Sequence, residues 1–152
     1  MHQLACDVDR YEGLGDLPPF NPDIDVDQGP ASVLTLRTAI ASANAVVISS
    51  PEYAHGVPGA LKNALDWLVS GVEILDKPVA LLNPLRMSRY AQPQLMETLR
   101  VMSATVVEEA CLTVPVAGRG LDAIAIAADD DLSTLLRGAV EALLSQVPRK
   151  GH

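Results

Sequence analysis

The stretch that most constrains this chain runs from Ala45 to Val69, AVVISSPEYAHGVPGALKNALDWLV. Its opening residues, Ala45 to Ile48, are apolar and mostly β-branched, the composition of a buried strand in a parallel sheet. From Ser50 to Gly59 the chain gathers Pro and Gly, the punctuation of a loop. Pro58 suits the first position of a helix, where its missing N–H would have no helical partner. Leu61, Leu65 and Leu68 then recur at i, i+4 and i+7, one buried helical face. Strand, loop, helix is the order, with the least ordinary residues at the carboxyl end of the strand. In open α/β sheets ligands bind at that edge.

The remaining segments repeat the alternation. Leu4 to Val8 reads as a short strand, and Tyr11 to Pro30 as a loop heavy in Gly, Pro and Asp. Within it Asp16 to Asp23, DLPPFNPD, reads as a polar connector stiffened by Pro18, Pro19 and Pro22. Ala31 to Ala43 has a helical pattern, with Val33, Leu36, Ile40 and Ala43 on one side. Lys77 to Asn83, KPVALLN, is a second buried strand, followed by a loop from Pro84 to Gln92 and a helix from Pro93 to Ser103. Thr105 to Val107 and Cys111 to Val116 are strand-like, with Glu108 to Ala110 a bulge or bend between them. Ala117 to Ala128 fits strand, helix or a tucked arm. The last helix is expected to start at Asp131 as N-cap, with Leu132, Leu135, Leu136, Val140, Leu143 and Leu144 on its buried face. Strands alternating with helices predict one α/β domain over residues 1–152, a doubly wound parallel sheet.

Composition narrows the function classes. The net charge of −8 argues against a nucleic-acid partner, which wants a basic face. No apolar run approaches the ~20 residues of a membrane span, and MHQLACDVDR is too polar for a signal peptide. A cytoplasmic protein meeting small molecules is expected. Cys6 and Cys111 lack metal-type spacing and read as small buried apolar residues. Ser49, Ser50, Glu52 and His55 crowd one loop, but ISSP lacks the glycines of a nucleophile elbow. His2, His55 and His152 are scattered, and neither HExxH nor a phosphate-cradling GxxxxGK[ST] or GxGxxG occurs. Lys62 and Asp66 form an i, i+4 pair, and Trp67 reads as helix packing or a subunit contact rather than a cofactor wall.

PEYAHGVPGALKNALDW, Pro51 to Trp67, resembles the PEY-x-x-x-x-PG-x-LKNA-[IL]-DW signature of the NADPH-dependent FMN reductase family. The resemblance implies a flavodoxin-like fold, with Pro51, Glu52, Tyr53, Ala54, His55 and Gly56 lining an FMN site. Many members carry Asn where this chain has Ala54. Glu52 is expected to fix the loop by accepting backbone N–H bonds rather than to act as a general base. Tyr53 would cover the flavin ring or stack on substrate, or simply anchor the loop. His55 would face the flavin edge or the substrate, or else be solvated. Asn83 ends the next family strand, where the second flavin-contacting loop lies; here that loop, NPLRMSR, has no glycine. Arg86 or Arg89 would attract the phosphates of NADPH or FMN, or be solvated.

Set against the family pattern, the chain starts near the second strand, and the first strand, its GS-x-R-x-x-S-x-N phosphate loop and the first helix are not matched. In the 2-1-3-4-5 order of this fold, the unmatched strand would lie between those at Leu4 and Ala45. Those two strands would then pair directly, or accept a strand from another chain, or the Leu4 strand would stay loose; a truncated sequence is the fourth alternative. The resemblance implies an FMN-dependent NAD(P)H oxidoreductase that passes hydride to flavin, quinone or a similar small acceptor, as a homodimer or homotetramer. The other readings are a truncated flavodoxin-like module that no longer binds flavin and acts in protein interaction, and a flavodoxin-type electron carrier.

Overall fold

The structure is a computed structural model and describes residues 6–27, 29–86 and 88–148. Helix α1 spans Ala31–Ser42, strand β1 Val46–Ser49, α2 Gly59–Val69, β2 Pro78–Asn83 and α3 Ala91–Val101. Two short strands follow, β3 Thr105–Val106 and β4 Leu112–Thr113, then helices α4 Ala123–Ala128 and α5 Asp130–Ser145.

The sheet is parallel throughout. Val46 to Ser49 lie opposite Val79 to Leu82. On the other side of β2, Pro78 and Val79 face Thr105 and Val106, and Leu82 and Asn83 face Leu112 and Thr113. So β3 and β4 are two pieces of one line along β2, parted by a 3₁₀ turn at Glu108–Ala110. The bend expected there is present.

Strand β2 is the centre of the molecule, and its continuous apolar run buries five of its six residues. Val79 and Leu81 meet Leu65 of α2 with Leu95 and Leu99 of α3 on one face. Ala80, between them, meets Val107, Ala110 and then Ala139 and Leu143 of α5 on the other. That alternation is the period-2 geometry of a strand covered on both sides. Strand β1 differs: it is half-buried and exposed in turn, and Val47 is 49% exposed. Among the described residues, it pairs with β2 alone. The expected strand at Leu4–Val8 lies partly outside the described residues, and Cys6 to Val8 form no strand.

Three boundaries move for physical reasons. Pro58 is the residue before α2 rather than its first, with an extended ψ of 137°. Helix α3 begins at Ala91, two residues early, and takes Pro93 into its first turn, where a missing N–H is harmless. Helix α5 begins at Asp130 because Asp129, not Asp131, accepts the Leu132 N–H at 3.0 Å. The ambiguous segment 117–128 yields α4, capped by Asp122 on the Ala125 N–H at 2.8 Å. Met102 closes α3 instead of extending it.

The segment Asp16 to Asp23 is more than a connector. Leu17 is buried, and the Pro18 carbonyl accepts from Trp67 Nε1 at 2.8 Å and from Asn63 Nδ2 at 3.0 Å. Phe20 meets the Trp67 ring edge-on at 5.0 Å, a favoured aromatic geometry. Trp67 is fully buried, as helix packing requires. Beside it the Arg37 guanidinium is buried against Asp25 at 3.1 Å, the Trp67 carbonyl at 2.7 Å and Ser70 Oγ at 2.8 Å. Lys77 donates to the Ala43 and Ala41 carbonyls, a cation at the carboxyl end of α1. Burial pulls its ammonium below the usual lysine value.

Candidate functional site at the carboxyl edge of β1 and β2

Parallel pairing puts the carboxyl ends of β1 and β2 side by side, so the segments that leave them meet. The ladder runs one step past β1, from Ser50 N–H to the Leu82 carbonyl at 3.0 Å. Beyond Pro51 the chain folds into a tight turn. Tyr53 and Gly56 exchange both backbone bonds, at 3.0 and 2.9 Å. Ala54 and His55 between them are both left-handed, with φ of 47° and 61°, the pattern of a type I′ turn. A side chain with Cβ pays for that conformation, and Asn or Gly would fit it better. The N–H groups of Ala54 and His55 have no partner among the described residues.

Glu52 fastens this turn to α3. Its Oε2 accepts the N–H of Tyr90 at 2.7 Å, Ala91 at 2.8 Å and Arg89 at 2.9 Å, and the Ser88 hydroxyl at 3.1 Å. Helix α3 has no side-chain cap from its own N-cap residue, Tyr90; Glu52 supplies it from across the site. A carboxylate at a helix amino end meets both the unsatisfied N–H groups and the positive end of the dipole. The N–H of Ala91, then that of Tyr90, hold the Glu52 carboxyl below its usual value, with Ser88 and Arg89 adding to the effect. An oxygen so engaged fixes the loop, as the sequence implies, and is a poor proton acceptor.

The rim of the site is planar and exposed. His55 lies on Tyr90 with ring centres 4.4 Å apart and planes 30° from parallel. Tyr53 is 65% exposed and Tyr90 50%. Behind the turn a narrow cleft is lined by Ile48, Ser50, Pro51, Val57, Asn83 and Leu95, among others. Asn83 is buried there, and its Oδ1 accepts the Leu85 N–H at 2.9 Å.

Of the residues singled out from the sequence, Pro51, Glu52, Tyr53, Ala54, His55 and Gly56 thus form one turn, with Asn83 at the cleft beneath it. Arg86 is exposed on the neighbouring loop and bonds to none of them. Arg89 reaches the site through its backbone. Tyr90 and Ser88 were not anticipated; the signal for Tyr90 was an aromatic residue just before a helix start. Among the described residues no group of three His, Cys, Asp or Glu could hold a metal ion. Cys6 is exposed, against the expectation of burial, while burial raises the half-buried Cys111 thiol above its usual value. No described helix is long and apolar enough to cross a membrane.

Chemically, two free backbone N–H groups at a turn tip, flanked by flat side chains, suit a planar group bearing carbonyl oxygens. That donor set fits the ring system of a flavin. The Ser88 hydroxyl meets the Glu52 carboxylate, but that oxygen is already engaged by three N–H groups and is a poor base.

The family profile of NADPH-dependent FMN reductase matches residues 1–118. The chain is similar to the quinone reductase of Escherichia coli (strain K12), 40% identical over 77 residues, which are 50% of this chain and 39% of that protein. It is 39% identical over 81 residues to the NADPH azoreductase of Bacillus sp. (strain OY1-2), 49% of this chain and 44% of that one. These matches thus span under half the length of those relatives. Among solved structures, FerB, a flavoenzyme NAD(P)H:(acceptor) oxidoreductase from Paracoccus denitrificans, superposes with a TM-score of 0.70 and 28% identity. That match covers 88% of this chain and 76% of FerB, and the shared parallel sheet is flavodoxin-like.

Proposed function

The chain belongs to the NADPH-dependent FMN reductase family, and from that premise we propose that it acts as an FMN-dependent NAD(P)H oxidoreductase. Its acceptor would be flavin, quinone or a similar small molecule. The observation that carries the reading is the latched turn at the carboxyl edge of β1 and β2, which holds the family signature. Pro51, Glu52, Tyr53, Ala54, His55 and Gly56 form the cofactor-facing turn, with Asn83 and Arg86 on the neighbouring strand end and loop. In flavoenzymes the bound FMN carries the hydride, and the protein supplies orientation, hydrogen bonds and access.

Each side chain then has a limited task. The free N–H groups of Ala54 and His55 donate to carbonyl oxygens on a flat ligand. Tyr53, His55 and Tyr90 offer faces on which a planar acceptor stacks. Asn83 shapes the floor by holding the Leu85 N–H. Arg86, exposed and cationic, attracts phosphate. We read residues 1–152 as one such domain, working in the cytoplasm as a homodimer or homotetramer.

The test is a titration of the purified protein with FMN, followed by NAD(P)H oxidation with a quinone as acceptor. Saturable quenching of flavin fluorescence at micromolar FMN or below, with quinone-dependent turnover, is expected. An absence of binding at high flavin concentration sinks the enzyme reading and leaves the flavin-free module.

A further inference from the structure

We propose that Glu52 is a positioning residue that joins the 50–58 turn to the amino end of α3, so that both sides of the site keep one geometry. The proposal deepens the flavin-site reading and in that respect rests on it.

The turn has few holds of its own. Two backbone bonds close it, two residues without glycine's freedom sit left-handed at its tip, and residues 53–55 are exposed. Beyond its two roots, where the Ser50 N–H meets the Leu82 carbonyl and the Pro58 carbonyl accepts from Lys62, and the Val57 side chain on the core, its described links lead to α3: the four bonds of Glu52 Oε2, the His55 ring on Tyr90, and Gln94 Nε2 on the His55 carbonyl at 3.5 Å. The Gln94 contact is at the outer limit of hydrogen bonding, and the ring contact is an exposed one, so Glu52 is the principal tie. It spans 36 to 39 residues of sequence. A local cap steadies one helix; this one fixes the distance between two loops. The N–H groups of Ala54 and His55 and the ring of Tyr53 lie on one side of that joint, and the ring of Tyr90 lies on the other.

A helix cap that adds stability and nothing else is the competing account. The two differ in what else moves when the carboxylate is removed. Opening of local structure is read residue by residue in amide exchange, and that readout needs no ligand.

The experiment compares Glu52→Ala and Glu52→Gln with Asp129→Ala, which removes the cap of α5, a helix with no described hydrogen bond to the 50–58 turn. In Glu52→Ala, exchange of the Tyr53 and Gly56 amides should accelerate at least tenfold and FMN affinity should fall at least tenfold. Glu52→Gln keeps an acceptor oxygen and should recover most of both. Asp129→Ala should lower the thermal midpoint and leave both unchanged. Unchanged exchange at Tyr53 and Gly56 in Glu52→Ala overturns the joint, whatever FMN does. Faster exchange with undiminished FMN affinity overturns its role in binding. Faster exchange in a protein whose parent form never binds FMN upholds the joint and removes the flavin reading instead. Should Glu52→Ala not fold, Ser88→Ala removes one of the four bonds and should show the same changes at smaller size; no change there overturns the proposal.

Discussion

The amino ends of α3 and α5 both rest on a carboxylate, but the two carboxylates come from different places. Asp129 immediately precedes α5 and accepts from Leu132, three residues on. Glu52 lies in another loop and accepts from residues 36 to 39 positions later. The first interaction is contained in one turn of helix, so it forms and breaks with that turn. The second exists only when β1 and β2 have paired and brought their carboxyl ends together. Local partners stabilise an element; distant partners set the arrangement of elements. Helix α2 shows the same contrast along its own length. Lys62 and Asp66 pair across one turn, while Trp67 and Asn63 reach back to Pro18.

The sharpest break of that contrast is at Trp67. Trp67→Ala removes a fully buried ring, its bond to Pro18 and the Phe20 contact. It should cost about 3–5 kcal/mol, read as a shift in the urea midpoint. A cost under ~1 kcal/mol would show that residues 17–25 contribute little to the fold.

Acidity comes next, because the Glu52 cap acts through its ionised carboxylate. The folded Glu52 carboxyl titrates below its ordinary value of 4.5. Its contribution is therefore complete above that value and is lost as pH falls through the lowered one. Among the described residues no charged side chain bonds to it; its donors are three backbone N–H groups and the Ser88 hydroxyl. Exchange protection at Gly56, corrected for intrinsic rates, should stay level down to about pH 4.5 and drop in stronger acid. In Glu52→Gln the acid drop should vanish.

Removing the local cap should do less. Asp129→Ala should cost about 1 kcal/mol, seen in thermal unfolding. The smallest effect is a gain. Ala54→Asn places at a left-handed, exposed position the residue many family members carry, and should add about 0.5 kcal/mol. A loss there would mean that the tip of the turn is held by something other than backbone preference.

The same division explains what could be read from the chain beforehand. Strands β1 and β2 were visible as apolar runs, and the stripes of α1, α2 and α5 as helical repeats, because periodicity is a local property. Even the break between β3 and β4 was visible in Glu108 to Ala110. The start of α3 was misplaced because its cap lies on another loop. Asp131 was preferred to Asp129 because three consecutive aspartates offer the same chemistry, and the choice among them depends on where the first turn closes. Burial of Arg37 was missed for a related reason: its partners lie 12 to 33 residues away and gather only in the fold. At the site, the residues of the turn were legible through their family signature, whereas Tyr90 and Ser88 acquire their roles from Glu52 and His55.

Trp67 has one more consequence. It is the only tryptophan in the chain, and its indole is sealed between the Pro18 carbonyl and the Phe20 ring. Its emission therefore reports on one cluster, in which Leu17 of the 17–25 segment and Val33 and Leu36 of α1 seat on α2. Release of that segment would let water reach the indole and move the emission to longer wavelength, while fraying of α5 would leave it dark to the observer. The protein carries its own optical gauge for one half of its core and none for the other.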